Sequence, residues 1–332
     1  MPESITFALY LKRCIMTRAG KRSLVVSVIA VKLVIVIYLV SYSTKGYGET
    51  IPPETSGDPV FANRPYRLPD YVSFAGERMP LEFFDTRESL DRELLTSAYR
   101  HSSTIMIIKK ANRFLPVIEK ILEKNGIPDD FKYLVAAESE FSNVVSPKGA
   151  TGFWQIMAAT GKEAGMEITA EVDERYHLEK STQFACDYLR RSYERFGSWT
   201  LAAASYNGGR AAIDEQIRIQ KENNYYDLLL TEETARYVFR VVAYKLVISD
   251  PASYGFDIPK DELYPPLDWY EVKVESSISD FSDFARKYGT NYKLLKYLNP
   301  WLRRPYFNPR PGKEYFIKIP AEGMRISEQA GN

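Results

Sequence analysis

The chain has 332 residues, enough for one sizeable domain and a smaller one. Its 44 Lys and Arg are balanced by 43 Asp and Glu, so the basic excess of a general nucleic-acid binder is missing. The 24 Tyr and 17 Phe read as core and surface aromatics before they read as a sugar-binding set.

Residues 1–23 form a basic N-terminal region, with Lys12, Arg13, Arg18, Lys21 and Arg22 ahead of an apolar run from Leu24 to Val40. A basic flank before such a run is an export signal whose positive side stays in the cytoplasm. The run is longer than a signal-peptide core of roughly 7–15 residues and close to the roughly 20 that span a bilayer. Lys32 in its middle costs roughly 2.5–3.5 kcal/mol in lipid. Residues 24–42 are therefore expected to be an uncleaved signal anchor, with cleavage as a signal peptide at Ser41-Tyr42-Ser43 as the alternative. No cysteine directly follows the run, which argues against a lipoprotein. Cys14 and Cys186 fall on opposite sides of it, so no intrachain disulfide is expected. His101 and His177 lack metal-ligand spacing, and there is no phosphate-binding glycine loop or nucleophile elbow. No metal and no other cofactor is expected.

Residues 43–80, with many Gly and Pro, read as a linker. From Leu81 the period becomes helical, with amphipathic helices predicted at 86–100 and 104–124, the second ending at Asn125-Gly126. Pro128 and Asp129 suit the first turn of the next helix. On that helix Phe131, Leu134, Val135, Glu138 and Phe141 share one face, which sets a glutamate in an apolar stripe. Burial disfavours the charged form, so Glu138 can stay protonated near neutral pH and act as a general acid. Glu140 lies about 200° around the helix and cannot share that role. The same spacing also fits a glutamate at the edge of the core or one paired with a basic residue. Beyond Ser146-Pro147, Gly149 and Gly152 permit close backbone approach, Phe153 and Trp154 offer aromatic faces and Gln155 offers an amide. Sugar sites are furnished in this way.

Further helices are predicted at 153–165, 178–196, Trp199 to Ser205 and 232–249, with Cys186 a small buried apolar residue of the second. Tyr206 and Asn207 stand at a helix–loop junction before Gly208-Gly209. Residues 251–268 read as a second, Pro-containing linker. A strand at 269–274, helices at 278–288 and 291–298 and a strand at 315–320 follow, and 321–332 is a polar tail.

Four blocks in order carry a resemblance. They are Glu138-Ser139-x-Phe141, then Ser146-Pro147-Lys148-Gly149-Ala150-Thr151-Gly152-x-Trp154-Gln155-Ile156-Met157, then Ala204-Ser205-Tyr206-Asn207-Gly208-Gly209, then Glu233-Thr234-x-x-Tyr237-Val238. Together they resemble the SLT catalytic domain of soluble lytic transglycosylases. Gly126-Ile127-Pro128 and the C-terminal region narrow this to membrane-bound lytic murein transglycosylases of subtype D. The resemblance implies a mainly α fold: a lysozyme-like α-helical catalytic domain over 81–250, with an N-terminal helical extension. It implies a lytic transglycosylase that splits the MurNAc-GlcNAc β-1,4 bond of peptidoglycan without water and leaves 1,6-anhydroMurNAc ends. Glu138 would be the single acid and base, Ser139 and Tyr237 would hydrogen-bond around it or the acetamide, and Gln155, Tyr206 and Asn207 would position the sugar. From the residues alone, Ser139 can instead bond back to the preceding turn, Gln155 and Asn207 can fasten loops, and Tyr237 can be a core residue.

The strand–helix–helix–strand order of 269–320, with Tyr288-Gly289, Leu294, Leu298-Asn299 and Pro311-Gly312, is similar to the LysM peptidoglycan-binding module, a small βααβ domain. It departs where Glu275-Ser276 replaces the family's Gly-Asp and where 300–310 enlarges a loop. The segment is expected to fold separately and bind glycan weakly, with Arg303, Arg304 and Arg310 open to acidic peptide stems or a partner protein. The implied partners are peptidoglycan glycan strands and, through the N-terminal apolar segment, the membrane. Nucleic acid is not among them, and no protein partner is indicated. The implied place is the periplasmic side of the cell envelope.

Most glycosidases use two carboxylates. Glu163 and Asp173 are the other candidates here, and no spacing points either at Glu138. One carboxylate suffices when the substrate's acetamide oxygen supports the cationic C1. Two other functions stay open: a hydrolase similar to goose-type lysozyme, which needs a second carboxylate, and a wall-binding scaffold without catalysis.

Overall fold

The structure, a computed structural model, describes residues 66–325. The basic region, the apolar run with Ser41-Tyr42-Ser43, most of the first linker and the end of the polar tail lie outside the described residues. Among those residues no helix is long and apolar enough to cross a membrane.

The described chain is mainly helical. A short hairpin, β1 (Ser73–Phe74) against β2 (Glu77–Arg78), leads into α1 (Phe84–Tyr99) and α2 (His101–Lys124). On α2 the residues Ile107, Ile108, Ala111, Leu115, Ile118 and Leu122 are buried, an apolar stripe with helical spacing. A 3₁₀ turn over Asp129–Tyr133 then precedes α3 (Leu134–Ser139). The single helix expected across 131–141 is thus divided, and Glu140 in the left-handed region stops it. The helix expected over 153–165 is shorter too. Thr151 bridges to Val145 and Ile156 in a narrow turn, and α4 runs only over Ala158–Glu163. Gly152 at φ +83° makes that turn, and a Cβ there would lie 2.0 Å from the carbonyl oxygen of Arg175.

Four helices complete this part: α5 (Leu178–Phe196), α6 (Trp199–Gly208), α7 (Arg210–Gln220) and α8 (Glu232–Ser249). The sequence reading does not anticipate α7, in which only Ile213 is buried. Helix α8 runs through the main core, with Val238, Val241, Val242, Ala243 and Val247 fully closed off. Each of these valines contributes about 1.5–3 kcal/mol.

Among the described residues, the two stretches expected to be linkers are packed down. Leu68, Val72, Phe74 and Met79 belong to the main core, and Phe74 meets Phe131 edge-on at 5.1 Å. So the described end of the 43–80 stretch is packed. The second stretch is strapped down as well. Tyr254 and Phe256 are buried, Lys109 pairs with Glu262 at 2.8 Å, and Asn112 and Arg113 donate to the carbonyls of Tyr264 and Pro265.

In the C-terminal part β3 (Trp269–Lys273) pairs antiparallel with β4 (Phe316–Pro320), Trp269 opposite Pro320. Between them lie α9 (Phe281–Lys287) and α10 (Tyr292–Leu298). These elements share a second core around Phe281, Leu295, Trp301, Phe307 and Tyr315, but that core also contains Val172 and Tyr176. Val172 bridges to Leu302, and the backbone N–H of Asp173 donates to the Trp301 carbonyl at 2.9 Å. Buried Glu167 accepts from Tyr315 and Lys313, each at 2.8 Å, and pairs with Arg310 at 3.1 Å. The segment expected to stand alone therefore completes its core with residues from before α5. Arg310 pairs with Glu167 while its side chain stays 59% exposed, and Arg303, also exposed, lies over the Tyr176 ring at 4.1 Å.

Candidate active site

Glu138 is placed by the abrupt end of α3. Glu140 and Phe141 have φ of 50° and 52°, which non-glycine residues rarely adopt and which cost about 1–3 kcal/mol each. Fixed partners hold the turn. Arg100 pairs with the Glu140 carboxylate at 2.8 Å, Lys110 donates to the Glu140 carbonyl at 3.2 Å and to Ser142 at 2.6 Å, and the Phe141 ring is buried.

Helix α8 supplies the opposing wall. Glu93 of α1, 1% exposed, binds Arg236 at 2.6 Å and Arg240 at 3.3 Å, which fixes the turn of α8 between them. On that turn Tyr237 donates its hydroxyl to Glu138 Oε1 at 2.5 Å. Glu138 is only partly closed to solvent, yet burial is the largest influence on its carboxyl and pushes it up to about 7. The Tyr237 hydrogen bond opposes that rise, the negative charge of Glu233 adds to it, and Arg240 opposes it. Glu233 precedes Tyr237 by four residues and so shares its face of α8.

Tyr206 and Asn207 come from the end of α6. The start of that helix is capped by Glu77 of β2, whose carboxylate accepts from the Trp199 N–H at 2.5 Å, the Thr200 N–H at 2.9 Å, Ser198 Oγ at 2.9 Å and the Thr200 hydroxyl. Tyr206 donates to the Trp154 carbonyl at 2.7 Å. Burial, and then the nearby charge of Glu138, push its phenol well above the usual range. Asn207 accepts from the Thr234 hydroxyl at 2.9 Å and donates to Glu233 at 3.4 Å. The fold thus gathers Glu138, Tyr206, Asn207 and Tyr237, and adds Glu233.

Ser139 and Gln155 point elsewhere. Ser139 donates to the Phe153 carbonyl at 2.8 Å and back to the Val135 carbonyl at 3.2 Å, so its hydroxyl ties the loop to the helix. Gln155, at φ 46°, donates to the carbonyls of Gly152 at 2.8 Å and Val144 at 3.1 Å. Both side chains fasten the loop. Trp154 is fully buried with its indole N–H on Thr182 at 2.8 Å, and Phe153 packs edge-on against Phe114 at 4.8 Å. Neither ring offers the open face expected of it.

The two candidates for a second carboxylate also lie away from Glu138. Asp173 holds Arg175 in a two-pronged pair at 2.8 and 2.9 Å, and Arg175 donates to the carbonyls of Gly149 and Ile156. That pair clamps the loop. Glu163 is exposed on α4. The carboxylate that acts on Glu138 is Glu233, which the sequence reading quoted in a motif but gave no role. Its signal was the four-residue step to Tyr237. Among the described residues, no cluster of three or more His, Cys, Asp or Glu could hold a metal ion.

Residues 116–229 match the family described as the transglycosylase SLT domain, a span that takes in Glu138, Ser139, Gln155, Tyr206 and Asn207 and stops before Tyr237. The chain carries an SLT domain. Residues 270–323 match the soluble lytic transglycosylase C-terminal LysM-like domain. Over 239 residues the chain is 27% identical to membrane-bound lytic murein transglycosylase D of Escherichia coli K12, and it has the same identity to the protein of that name in a second E. coli strain. That alignment covers 69% of this chain and 51% of the relative, so the chain spans about half the length of the curated relatives it matches. The 70-kDa soluble lytic transglycosylase of E. coli is 20% identical with a TM-score of 0.36, covering 46% of this chain and 26% of the other. At that score the likeness decides nothing. In the SLT domain the loop 141–157 is braced by Ser139, Gln155 and Arg175, and the face between α3, α6 and α8 holds the acidic and phenolic groups.

Proposed function

We propose that this chain is a peptidoglycan lytic transglycosylase in which Glu138 serves first as acid and then as base. The observation that carries this reading is the Glu138 carboxyl, pushed up to about 7 by burial and held by Tyr237 at 2.5 Å. A group titrating there gives and takes a proton equally well near neutral pH. Protonated Glu138 donates to the glycosidic oxygen of the MurNAc-GlcNAc β-1,4 bond, and the C1–O bond breaks. The C2 acetamide oxygen of MurNAc bonds to C1 and carries the positive charge. The Glu138 carboxylate then takes the proton of the C6 hydroxyl, O6 attacks C1, and the acetamide is released. The product is a 1,6-anhydroMurNAc end, no water is consumed, and Glu138 is again protonated.

Tyr237 orients Glu138, and Tyr206 and Asn207 border the sugar. Ser139 and Gln155 act indirectly, by holding the loop beside the site. The substrate is a peptidoglycan glycan strand, reached from the periplasmic side of the cell envelope after export directed by the 24–42 segment, which would also tether the chain to the membrane. The LysM-like segment adds weak glycan contact.

Glu233 supports a second reading. It is the negative group that raises Glu138, so it is the natural candidate to align water in a hydrolase. Mass spectrometry of digested peptidoglycan decides between them. Anhydro products support the transglycosylase, hydrated reducing ends support the hydrolase, and intact glycan overturns both.

A further inference from the structure

A cavity of about 500 Å³ lies between the SLT domain and the LysM-like segment, walled by α2, the loop after α3, residues 176–179 and residues 264–301. None of Glu138, Ser139, Gln155, Tyr206, Asn207 or Tyr237 lines it. Its charge is one-sided. Lys110, Arg113, Lys296 and Lys318 face it, against the single carboxylate of Glu179. That carboxylate is already engaged by Lys318 and by His177, the latter at 3.1 Å. The other three cations rest on neutral oxygens. Lys110 donates to the Glu140 carbonyl and Ser142, Arg113 to the Pro265 carbonyl at 2.9 Å and Tyr297 at 3.2 Å, and Lys296 to the carbonyls of Leu302 and Arg304. Burial lowers the ammonium of Lys110 against the opposing charge of Glu140, and burial with the neighbouring charge of Arg303 brings that of Lys296 down to about 8.

Trp301 lines the cavity at 3% exposure, and its buried indole N–H has no hydrogen-bond partner. An unsatisfied buried donor costs about 1–3 kcal/mol and calls for an acceptor. Flat apolar surface is present as well, in Tyr264, Trp269 and Tyr297.

We propose that this cavity binds the carboxylate-bearing peptide arm of a peptidoglycan strand, with its carboxylates on Lys110, Arg113 and Lys296. The proposal rests on the substrate proposed above. It gives the 141–153 loop two faces. Phe141, Ser142, Asn143 and Phe153 line the cavity, while the Phe153 carbonyl is held by Ser139, next to Glu138. The peptide arm and the scissile bond would then be read on opposite sides of one braced loop.

The test is titration calorimetry on the full chain with the acidic tetrapeptide that an amidase releases from peptidoglycan, and with the same peptide amidated at its carboxylates. Saturable one-to-one binding is expected, weakening as salt rises. Amidation, Arg113→Gln and Lys296→Gln should each weaken it by about tenfold or more, the size of a lost charge-assisted hydrogen bond. Absence of binding, or equal affinity for the amidated peptide, overturns the proposal, and the amidation comparison needs no altered protein. Affinity unchanged in both variants overturns it too. Binding is read without turnover. Peptide binding without anhydro products would remove only the enzymatic reading, and anhydro products without peptide binding would remove only this site.

Discussion

Tyr237 donates its hydroxyl to Glu138 across a 2.5 Å contact that joins α8 to the last turn of α3, 99 positions apart in the chain. The contact pairs a partly enclosed carboxyl with a buried phenol, and burial and the charge of Glu138 push the phenol well above its usual range. The hydroxyl therefore keeps its proton at neutral pH.

Replacing Glu138 by Gln should keep the fold and remove cleavage. Gln preserves the shape and can still accept from Tyr237, but it delivers no proton. A loss of about 10²–10⁴-fold or more is expected, since one group serves both steps. Product release from purified peptidoglycan, with a thermal melt as the control, measures this. Near-normal turnover would remove Glu138 from the mechanism.

The pH dependence of stability should also change in that variant. In the unfolded chain Glu138 titrates near 4.5, and in the folded chain near 7. Between those values the folded state holds the extra proton, so wild-type stability falls as pH rises through this window, by roughly 3 kcal/mol at most. Gln carries no such proton. Urea melts at pH 5 and pH 8 should show the variant gaining on the wild type at the higher pH. A difference that stays flat would contradict a raised carboxyl.

Tyr237→Phe removes an influence that lowers the Glu138 carboxyl, so that carboxyl should titrate higher still. The alkaline limb of the rate profile, set by loss of the Glu138 proton, should move to higher pH. The maximal rate should fall by about tenfold as the carboxyl loses a buried partner. A profile of unchanged position would show that the hydroxyl does not act on Glu138.

Glu77→Ala should loosen α6 from its first turn. Four donors around Ser198, Trp199 and Thr200 lose their acceptor, at a cost of about 1–3 kcal/mol. Calorimetry should show a drop in Tm of several degrees, and activity should fall with it, because α6 carries Tyr206. An unchanged Tm would mean that the hairpin only rests on the domain.

Residues 269–320 expressed alone should fail to melt cooperatively. About fifty residues without a disulfide are near the lower limit of independent stability, and this core lacks Val172 and Tyr176 when cut free. Circular dichroism on the fragment tests it, and a sharp two-state melt would show that those contacts are dispensable.

The sequence by itself determined the helical character of the chain, the strand–helix–helix–strand order at its end and the singular position of Glu138. Each is a matter of local period: an apolar stripe interrupted by one acid, or alternation bounded by turn residues. The ends of elements were less legible, because Glu140, Phe141 and Gln155 adopt left-handed backbone that only their tertiary partners can sustain. What Ser139, Gln155, Trp154 and Asp173 do was decided in the same way. Each is a polar or aromatic candidate that fold contacts turn toward a carbonyl, a threonine or an arginine. The packing of 66–80 and the cavity behind the 141–153 loop were invisible for one reason. They arise between segments far apart in the chain, and local period carries no information about which distant surfaces meet.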